Sequence, residues 1–395
     1  MATDMDERRT PSDQIGVAVL GSTGSVGRQT LEVIDRHPDR FRVVALSAGS
    51  NLQLLRQQVA HFQPDLTTIA SETGSPLTGL GRVEFGRDGL IAAASHPDAA
   101  IVVVATSGHA AIMPTYQAIV AGKTIALANK ETAVCAGELI VPFARERGVE
   151  IRPVDSEHSA IWQSLAGSHG DDISRIILTA SGGPFRTCTA AELAAVTATE
   201  ALTHPTYSMG DKITIDSALM MNKGLEVIEA RWLFNTTYER IEVVIHPESI
   251  VHSLVEFVDG SQIAQLGLPD MRLPIQYALS YPRRLPGLSQ PLSLTRIGRL
   301  EFAEPDLKRF PSLRIAREAG MAGSTYPTVL SAADELAVAA FMGGQLRFND
   351  IPAVIERVLD RHRPEGAISF ESIAAADGWT RSVTSDAIHE VARLD

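Results

Sequence analysis

The chain has 395 residues, of which 45 % are apolar and 21 % charged, with a formal net charge of −12. That length predicts two or three domains, and the acidic balance argues against a nucleic-acid partner, which demands clustered Lys and Arg. Two cysteines build no disulfide framework, no C-x-x-C pair offers a zinc site, and no apolar run reaches membrane-spanning length. A cytoplasmic protein with no membrane partner is therefore expected. Residues 1–14 are polar and mixed in charge, and read as a tail, not a signal peptide.

Strands and helices alternate from Ile15 onward. Ile15–Leu20 is a short, wholly apolar run, as expected of a strand buried on both faces. Glycines follow, then helical spacing through Val26, Leu31 and Ile34 that stops at His37–Pro38. Phe41–Leu46 reads as a strand, Leu52–Phe62 as a helix, Leu66–Ala70 as a weaker strand and Ile101–Ala105 as the clearest strand of the chain. His109–Val120 is helical and Thr124–Ala128 extended. This rhythm predicts a parallel sheet with helices on both faces. Further on, Ile151–Val154, Arg175–Ala180, Ile241–Ile245, Ile250–Val258 and Gln262–Leu266 read as strands, with Asp259-Gly260 as a hairpin turn. Tyr281–Pro305 is proline-rich and reads as a surface connection. Beyond Pro311 the pattern is helical, notably in Ala332–Met342, Ile351–Arg361 and Ser382–Leu394.

Gly21-Ser22-Thr23-Gly24-Ser25-Val26-Gly27 lies between the first strand and the first helix. Glycines there let the backbone turn tightly and approach a pyrophosphate, and the helix start supplies free N–H groups. The spacing is GxxGxxG, and the plainer reading is a tight strand-to-helix turn without a ligand. After the second strand comes Ser47-Ala48-Gly49-Ser50-Asn51, with no acidic residue to hold a ribose 2′-hydroxyl, which favours NADP over NAD.

Asp155-Ser156-Glu157 follows the strand Ile151–Val154. In an extended segment residues i and i+2 point the same way, and two neighbouring carboxylates suit a hard divalent cation. Equally, Asp155 is placed to cap the next helix, with Glu157 an acid in its first turn. In Asp216–Glu229, Asn222 and Glu226 are i,i+4 and Lys223 and Glu226 i,i+3, so they share one helix face. That face is either solvated or a joint phosphate and metal grip. Ser181-Gly182-Gly183 ends a strand in a glycine turn fit to cradle a phosphate, or is simply a turn. The weakly patterned Thr197–Asp211 has the look of a lid. Lys130, after the Thr124–Ala128 strand, is placed to face cofactor and substrate, or is a surface lysine.

Taken together, GSTGSVG, LANKE, PVDSEHSAI, SGGPFR, HPTYSMG, KITIDSALMMNKGLEVIEARWLF and HPESIVHSLVEF, in order from about Gly21 to Met271, resemble the 1-deoxy-D-xylulose 5-phosphate reductoisomerase family. The run DSALMMNKGLEVIEA is far more specific than any glycine motif. The resemblance implies NADPH- and metal-dependent conversion of 1-deoxy-D-xylulose 5-phosphate to 2-C-methyl-D-erythritol 4-phosphate, with Mg²⁺ or Mn²⁺ as the metal and Co²⁺ as a further candidate. It implies an α/β fold with an N-terminal Rossmann-like parallel sheet, a central α+β catalytic domain with an open sheet and flap, and a C-terminal helical domain. The expected boundaries are 1–150 for NADPH binding and 151–285 for catalysis and dimerisation, with the flap near 197–211. A linker at 286–310 and helices at 311–395 would follow. A homodimer is expected.

The resemblance also assigns residues. Asp155, Glu157 and Glu226 match metal ligands, and Ser181, Ser217, Asn222 and Lys223 match a phosphate grip. Lys130, Ser156 and His204 match substrate contacts, with Lys130, Glu157, His204 and Glu226 as the catalytic set. Thr23, Gly24, Ser25, Val26, Gly49, Ser50, Asn51, Asn129, Glu131 and Gly210 match positions around NADPH. Two positions depart from the family: Tyr207 stands in the flap where Trp is usual, and Ser50 where Lys is often found. The rival readings are an NADP-sensing protein and a semialdehyde or acyl-phosphate dehydrogenase. The latter needs a nucleophilic cysteine, for which Cys135 and Cys188 are candidates.

Overall fold

The computed structural model describes residues 14–70, 78–168, 170–203 and 210–393. The chain forms two compact units, each built from separate stretches. The first takes its described residues from Met1–Asn129, Phe143–Asp155 and Asp270–Ser289, and the second from Lys130–Pro142, Ser156–Pro269 and Gln290–Asp395.

The first unit is a parallel sheet of seven strands: β1 (Ile15–Leu20), β2 (Phe41–Ala48), β3 (Leu66–Ile69), β4 (Val83–Phe85), β5 (Ile101–Val104), β6 (Thr124–Leu127) and β7 (Ile151–Pro153). Their order is β4-β3-β2-β1-β5-β6-β7. The chain therefore winds outward one way from β1, then returns to begin again at β5. The two neighbouring strands β1 and β5 mark the switch point at which sheets of this kind bind ligands. Wholly apolar runs such as IVVV in β5 are buried on both faces, as a parallel sheet covered by helices requires. The core joins Val17, Val19, Leu31, Ile34, Leu46 and Val103 to Ile275, Ala278 and Leu279, so the late helix Arg272–Ser280 completes it. Neither β4 nor the helix Gly86–Ala94 has a clear sequence signature.

The second unit carries a four-stranded mixed sheet of β8 (Ile173–Ala180), β9 (Ile241–Ile245), β10 (Val251–Phe257) and β11 (Gln262–Leu266), in the order β11-β10-β8-β9. Strands β8 and β9 run parallel, while β10 is antiparallel to both β8 and β11. The β10–β11 hairpin turns at Asp259-Gly260 as expected: Gly260 has φ 82°, and Asp259 Oδ1 accepts from the Ser261 N–H at 2.9 Å. Helices Ser312–Ala322, Tyr326–Met342, Asp350–Arg361 and Phe370–Ala392 make the C-terminal part helical. Helix Met221–Leu233 lies hard against Ser312–Ala322: a Cβ on Gly224 would stand 2.4 Å from that of Ala316. No helix among the described residues is long and apolar enough to cross a membrane.

Candidate active site

Three elements of the second unit bring charged side chains together. Helix Ser156–Ser164 presents Glu157 in its first turn, helix Met221–Leu233 presents Asn222, Lys223 and Glu226, and Lys130 opens the helix beginning at residue 130. Lys223 Nζ donates to Glu157 Oε1 at 2.8 Å and also to Glu226 Oε2. Asn222 Nδ2 donates to Glu226 Oε1 at 2.6 Å, and Lys130 Nζ lies 3.8 Å from the same oxygen. The shared face anticipated from i,i+3 and i,i+4 spacing thus exists, but it is no solvated face. The side chains of Glu226 and Lys223 are only 1 % and 5 % exposed. Burial alone would lower the Lys223 ammonium, but Glu157 and Glu226 outweigh it and raise it above its ordinary value. Ser156 Oγ donates to Glu157 Oε2 at 2.6 Å.

His158, a residue without a role in the sequence reading, fastens the two helices. Its Nε2 donates to the main-chain carbonyl of Glu226 at 2.9 Å, and its Nδ1 lies 3.7 Å from Glu229 Oε2. The one hint of it was a histidine directly after Glu157. Asp155 ends the first unit, one peptide bond before Ser156.

A second cluster gathers hydroxyl and amide groups. The turn after β8 takes positive φ at both Gly182 and Gly183, where side chains are strained. A Cβ on Gly183 would meet the Ser217 carbonyl oxygen at 2.9 Å, so the turn carrying Ser181 packs directly on the end of helix Asp211–Ala218. Ser181 Oγ accepts from the Gly183 N–H at 3.2 Å. Met220, with φ 64°, turns the chain sharply from that helix into Met221–Leu233. A non-glycine residue in this region costs of order 1 kcal/mol and persists where the surroundings fix it. Ser217 thus lies in the last turn of one helix, shortly before the next begins with its free N–H groups, and a helix start is a natural anion site.

In the first unit, the glycine turn follows β1. A Cβ on Gly21 would approach Ala105 O to 2.6 Å, and one on Gly27 would reach Gly21 O at 2.2 Å. The turn is bound to its neighbours: Ser22 N–H donates to Ser47 O at 2.7 Å, and Ser22 Oγ to Gln58 Oε1 at 2.7 Å. Thr23, Gly24, Ser25 and Val26 occupy this turn and the start of helix Ser25–Arg36, which has no acid in its first turn. Gly49, Ser50 and Asn51 follow β2 and are exposed, and Asn51 Oδ1 caps helix Leu52–Phe62 by accepting from Leu54 N–H at 3.1 Å. Asn129 Nδ2 donates to Thr106 O (2.8 Å) and Gly108 O (3.1 Å), tying the ends of β5 and β6. Glu131 and Gly210 belong to the second unit. His204 and Tyr207 lie outside the described residues, and within the lid stretch Thr197 opens a one-turn helix, Ala198–Ala201, through a capping box with Glu200.

These residues suit a metal and a dinucleotide. An ammonium already bridges Glu157 and Glu226, and the buried Asn222 Oδ1 has no hydrogen-bond partner among the described residues, leaving one more oxygen donor beside them. Carboxylate and amide oxygens are the ligands a hard divalent ion takes. Gly21 and Gly27 leave no room for side chains where a diphosphate would meet the backbone. Neither cysteine fits a nucleophile's surroundings: burial pushes the Cys135 thiol well up, and Cys188 follows the glycine turn without a histidine beside it in sequence.

The sequence matches "1-deoxy-D-xylulose 5-phosphate reductoisomerase" over residues 17–137, its "C-terminal domain" over 151–234, and "DXP reductoisomerase C-terminal domain" over 266–383. A protein of that name from Thermomicrobium roseum is 56 % identical over 382 residues, covering 96 % of this chain and 99 % of the relative. The enzyme of that name from Zymomonas mobilis, solved in complex with NADPH, superposes with a TM-score of 0.88 at 41 % identity, covering 95 % of this chain and 99 % of that one. A DOX-P reductoisomerase solved with NADPH, fosmidomycin and magnesium gives a TM-score of 0.90 at 39 % identity, covering 95 % and 98 %. By sequence and by fold over nearly its whole length, the chain belongs to the 1-deoxy-D-xylulose 5-phosphate reductoisomerase family.

Proposed function

We propose that the chain converts 1-deoxy-D-xylulose 5-phosphate to 2-C-methyl-D-erythritol 4-phosphate with NADPH and a divalent metal, in the non-mevalonate route to isoprenoid precursors. The observation that carries this reading is the convergence of Glu157, Asn222, Lys223, Glu226 and Lys130 in one buried cluster, beside the Ser181 and Ser217 segments.

Asp155, Glu157 and Glu226 would hold the cation, Mg²⁺, Mn²⁺ or Co²⁺, which supplies Lewis-acid polarisation of the substrate's oxygens when bound. NADPH supplies the hydride. Lys130 Nζ faces Glu226 and offsets negative charge on substrate oxygens held there. Ser156 Oγ, next to Glu157, orients a substrate hydroxyl. Ser181, Ser217, Asn222 and Lys223 bind the phosphate and so prevent escape of the fragments during rearrangement. His204 contacts the substrate, and the flap near 197–211 excludes water from it. Thr23, Gly24, Ser25, Val26, Gly49, Ser50, Asn51, Asn129, Glu131 and Gly210 bind NADPH. The division into segments 1–150, 151–285, 286–310 and 311–395 belongs to the same reading. So do a cytoplasmic location, supported by two cysteines that form no disulfide, and a homodimer. The edge strand β11, with Ile263 47 % exposed, supports the dimer.

The test is NADPH absorbance with the sugar phosphate and Mg²⁺ or Mn²⁺, with and without chelator. Oxidation that needs both metal and substrate, and that Glu226→Gln abolishes, is the expected result. Folded protein that oxidises no NADPH with any of these metals rejects it.

A further inference from the structure

Helix Asp211–Ala218 has eight residues and no side-chain cap at its start, so its own hydrogen bonds do not hold it in place. An ion cluster does. Lys212 Nζ donates to Asp216 Oδ2, one turn along the same helix, at 2.7 Å, and also to Asp334 Oδ2 on helix Tyr326–Met342. The Asp334 side chain is 0 % exposed and that of Asp216 3 %.

Two buried carboxylates therefore share one ammonium. Asp216 Oδ1 and Asp334 Oδ1 each find no hydrogen-bond partner among the described residues, so Lys212 is the one cation that both carboxylates are shown to meet. Stability alone does not call for this. Lys212 and Asp216 already pair within one helix, and an apolar residue at 334 would avoid burying a second charge. What the second carboxylate adds is direction. Apolar contacts let a short helix slide or rotate, whereas an ammonium held between two fixed oxygens does not. Asp216 immediately precedes Ser217, so the rotation of this helix sets where the Ser217 hydroxyl points.

We propose that Asp334, through Lys212, is a positioning residue for the sugar-phosphate substrate, fixing helix Asp211–Ala218 so that Ser217 is presented to the phosphate. This rests on the reading of Ser217 as a phosphate contact. Asp334 itself touches no reactant.

The experiment compares KM for the sugar phosphate, Kd for NADPH by fluorescence and the melting temperature in Asp334→Ala, Asp334→Asn, Lys212→Met and Ser217→Ala. In Asp334→Ala, KM rises about tenfold or more while Kd for NADPH keeps its wild-type value. Asp334→Asn, which still accepts from Lys212, recovers most of the loss. Should Asp334→Ala fail to fold, Lys212→Met carries the same expectation. Wild-type KM in whichever of these two folds, a joint rise in KM and the NADPH Kd, or an Asp334→Asn no better than Asp334→Ala overturns the proposal. Ser217→Ala separates the two claims. Wild-type KM there rejects the phosphate role of Ser217 and this proposal with it. A raised KM there, beside wild-type KM in Asp334→Ala, rejects the proposal alone.

Discussion

His158 donates from Nε2 to the main-chain carbonyl of Glu226 at 2.9 Å, so one buried ring ties together the helices that carry the two glutamates of the cluster. Removing it in His158→Ala leaves that carbonyl without this donor, at a cost of about 1–3 kcal/mol. The concentration of Mg²⁺ needed for half-maximal activity should rise about tenfold or more, as when other groups that orient ligands are lost. A metal titration of activity beside a melting curve checks this, and wild-type metal dependence in a destabilised variant would show that the ring only packs.

Lys223 sits between Glu157 and Glu226 as a divalent ion would. In Lys223→Met the two carboxylates lose their shared ammonium, which should cost about 3–5 kcal/mol in chelator. Magnesium should then raise the melting temperature more in the variant than in the wild type, because the cation takes over the bridging role. Equal shifts in the two proteins would refute this.

Gly27 lies in the first turn-and-a-half of helix Ser25–Arg36, where alanine would ordinarily add about 1 kcal/mol of helix stability. Here its Cβ would stand 2.2 Å from Gly21 O, backbone that has nowhere to go. Gly27→Ala should therefore lower stability by about 1–3 kcal/mol and weaken NADPH binding. Fluorescence titration and thermal unfolding measure both.

Burial, and then Asp334 beside it, raise the Asp216 carboxyl to about 8 despite Lys212. A carboxyl raised in the folded state binds its proton more tightly than the unfolded chain does, so its contribution to stability is greatest below the unfolded value of 3.8 and is lost as pH rises through about 8. Unfolding midpoints should fall across that window in the wild type, and fall less in Asp334→Asn, where the neighbouring charge is gone. An equal slope in both proteins contradicts this.

With the Cys135 thiol buried and pushed up, no thiolate chemistry is available there. The double variant Cys135→Ala, Cys188→Ala should keep its metal-dependent NADPH oxidation. Loss of turnover in a protein that still melts normally would revive the cysteine-dependent dehydrogenase reading.

Local signals were readable in advance. GSTGSVG after IGVAVL, and Asn222, Lys223 and Glu226 at helical spacing, each declare themselves within a dozen residues, because a turn or a helix face is a short-range object. The burial of that face was not readable, since a charge run looks the same whether or not other helices cover it. The pairing of Lys212 with Asp334 spans 122 residues and leaves no periodic trace. The helix Lys130–Glu146 contains Pro142, and proline ordinarily marks a stop. His158 gains its importance only because a helix from far along the chain supplies the carbonyl it meets.

The helix Arg272–Ser280 supplies Ile275, Ala278 and Leu279 to the core beneath the parallel sheet, although all seven strands of that sheet are made before residue 155. During synthesis the sheet must therefore wait, its apolar side open, until about 120 more residues have left the ribosome. A gene cut after β7 would yield an unfinished half, prone to stick to its own copies. Shuffling the two units between relatives would succeed only with five crossovers, because the chain passes from one unit to the other after residues 129, 142, 155, 269 and 289.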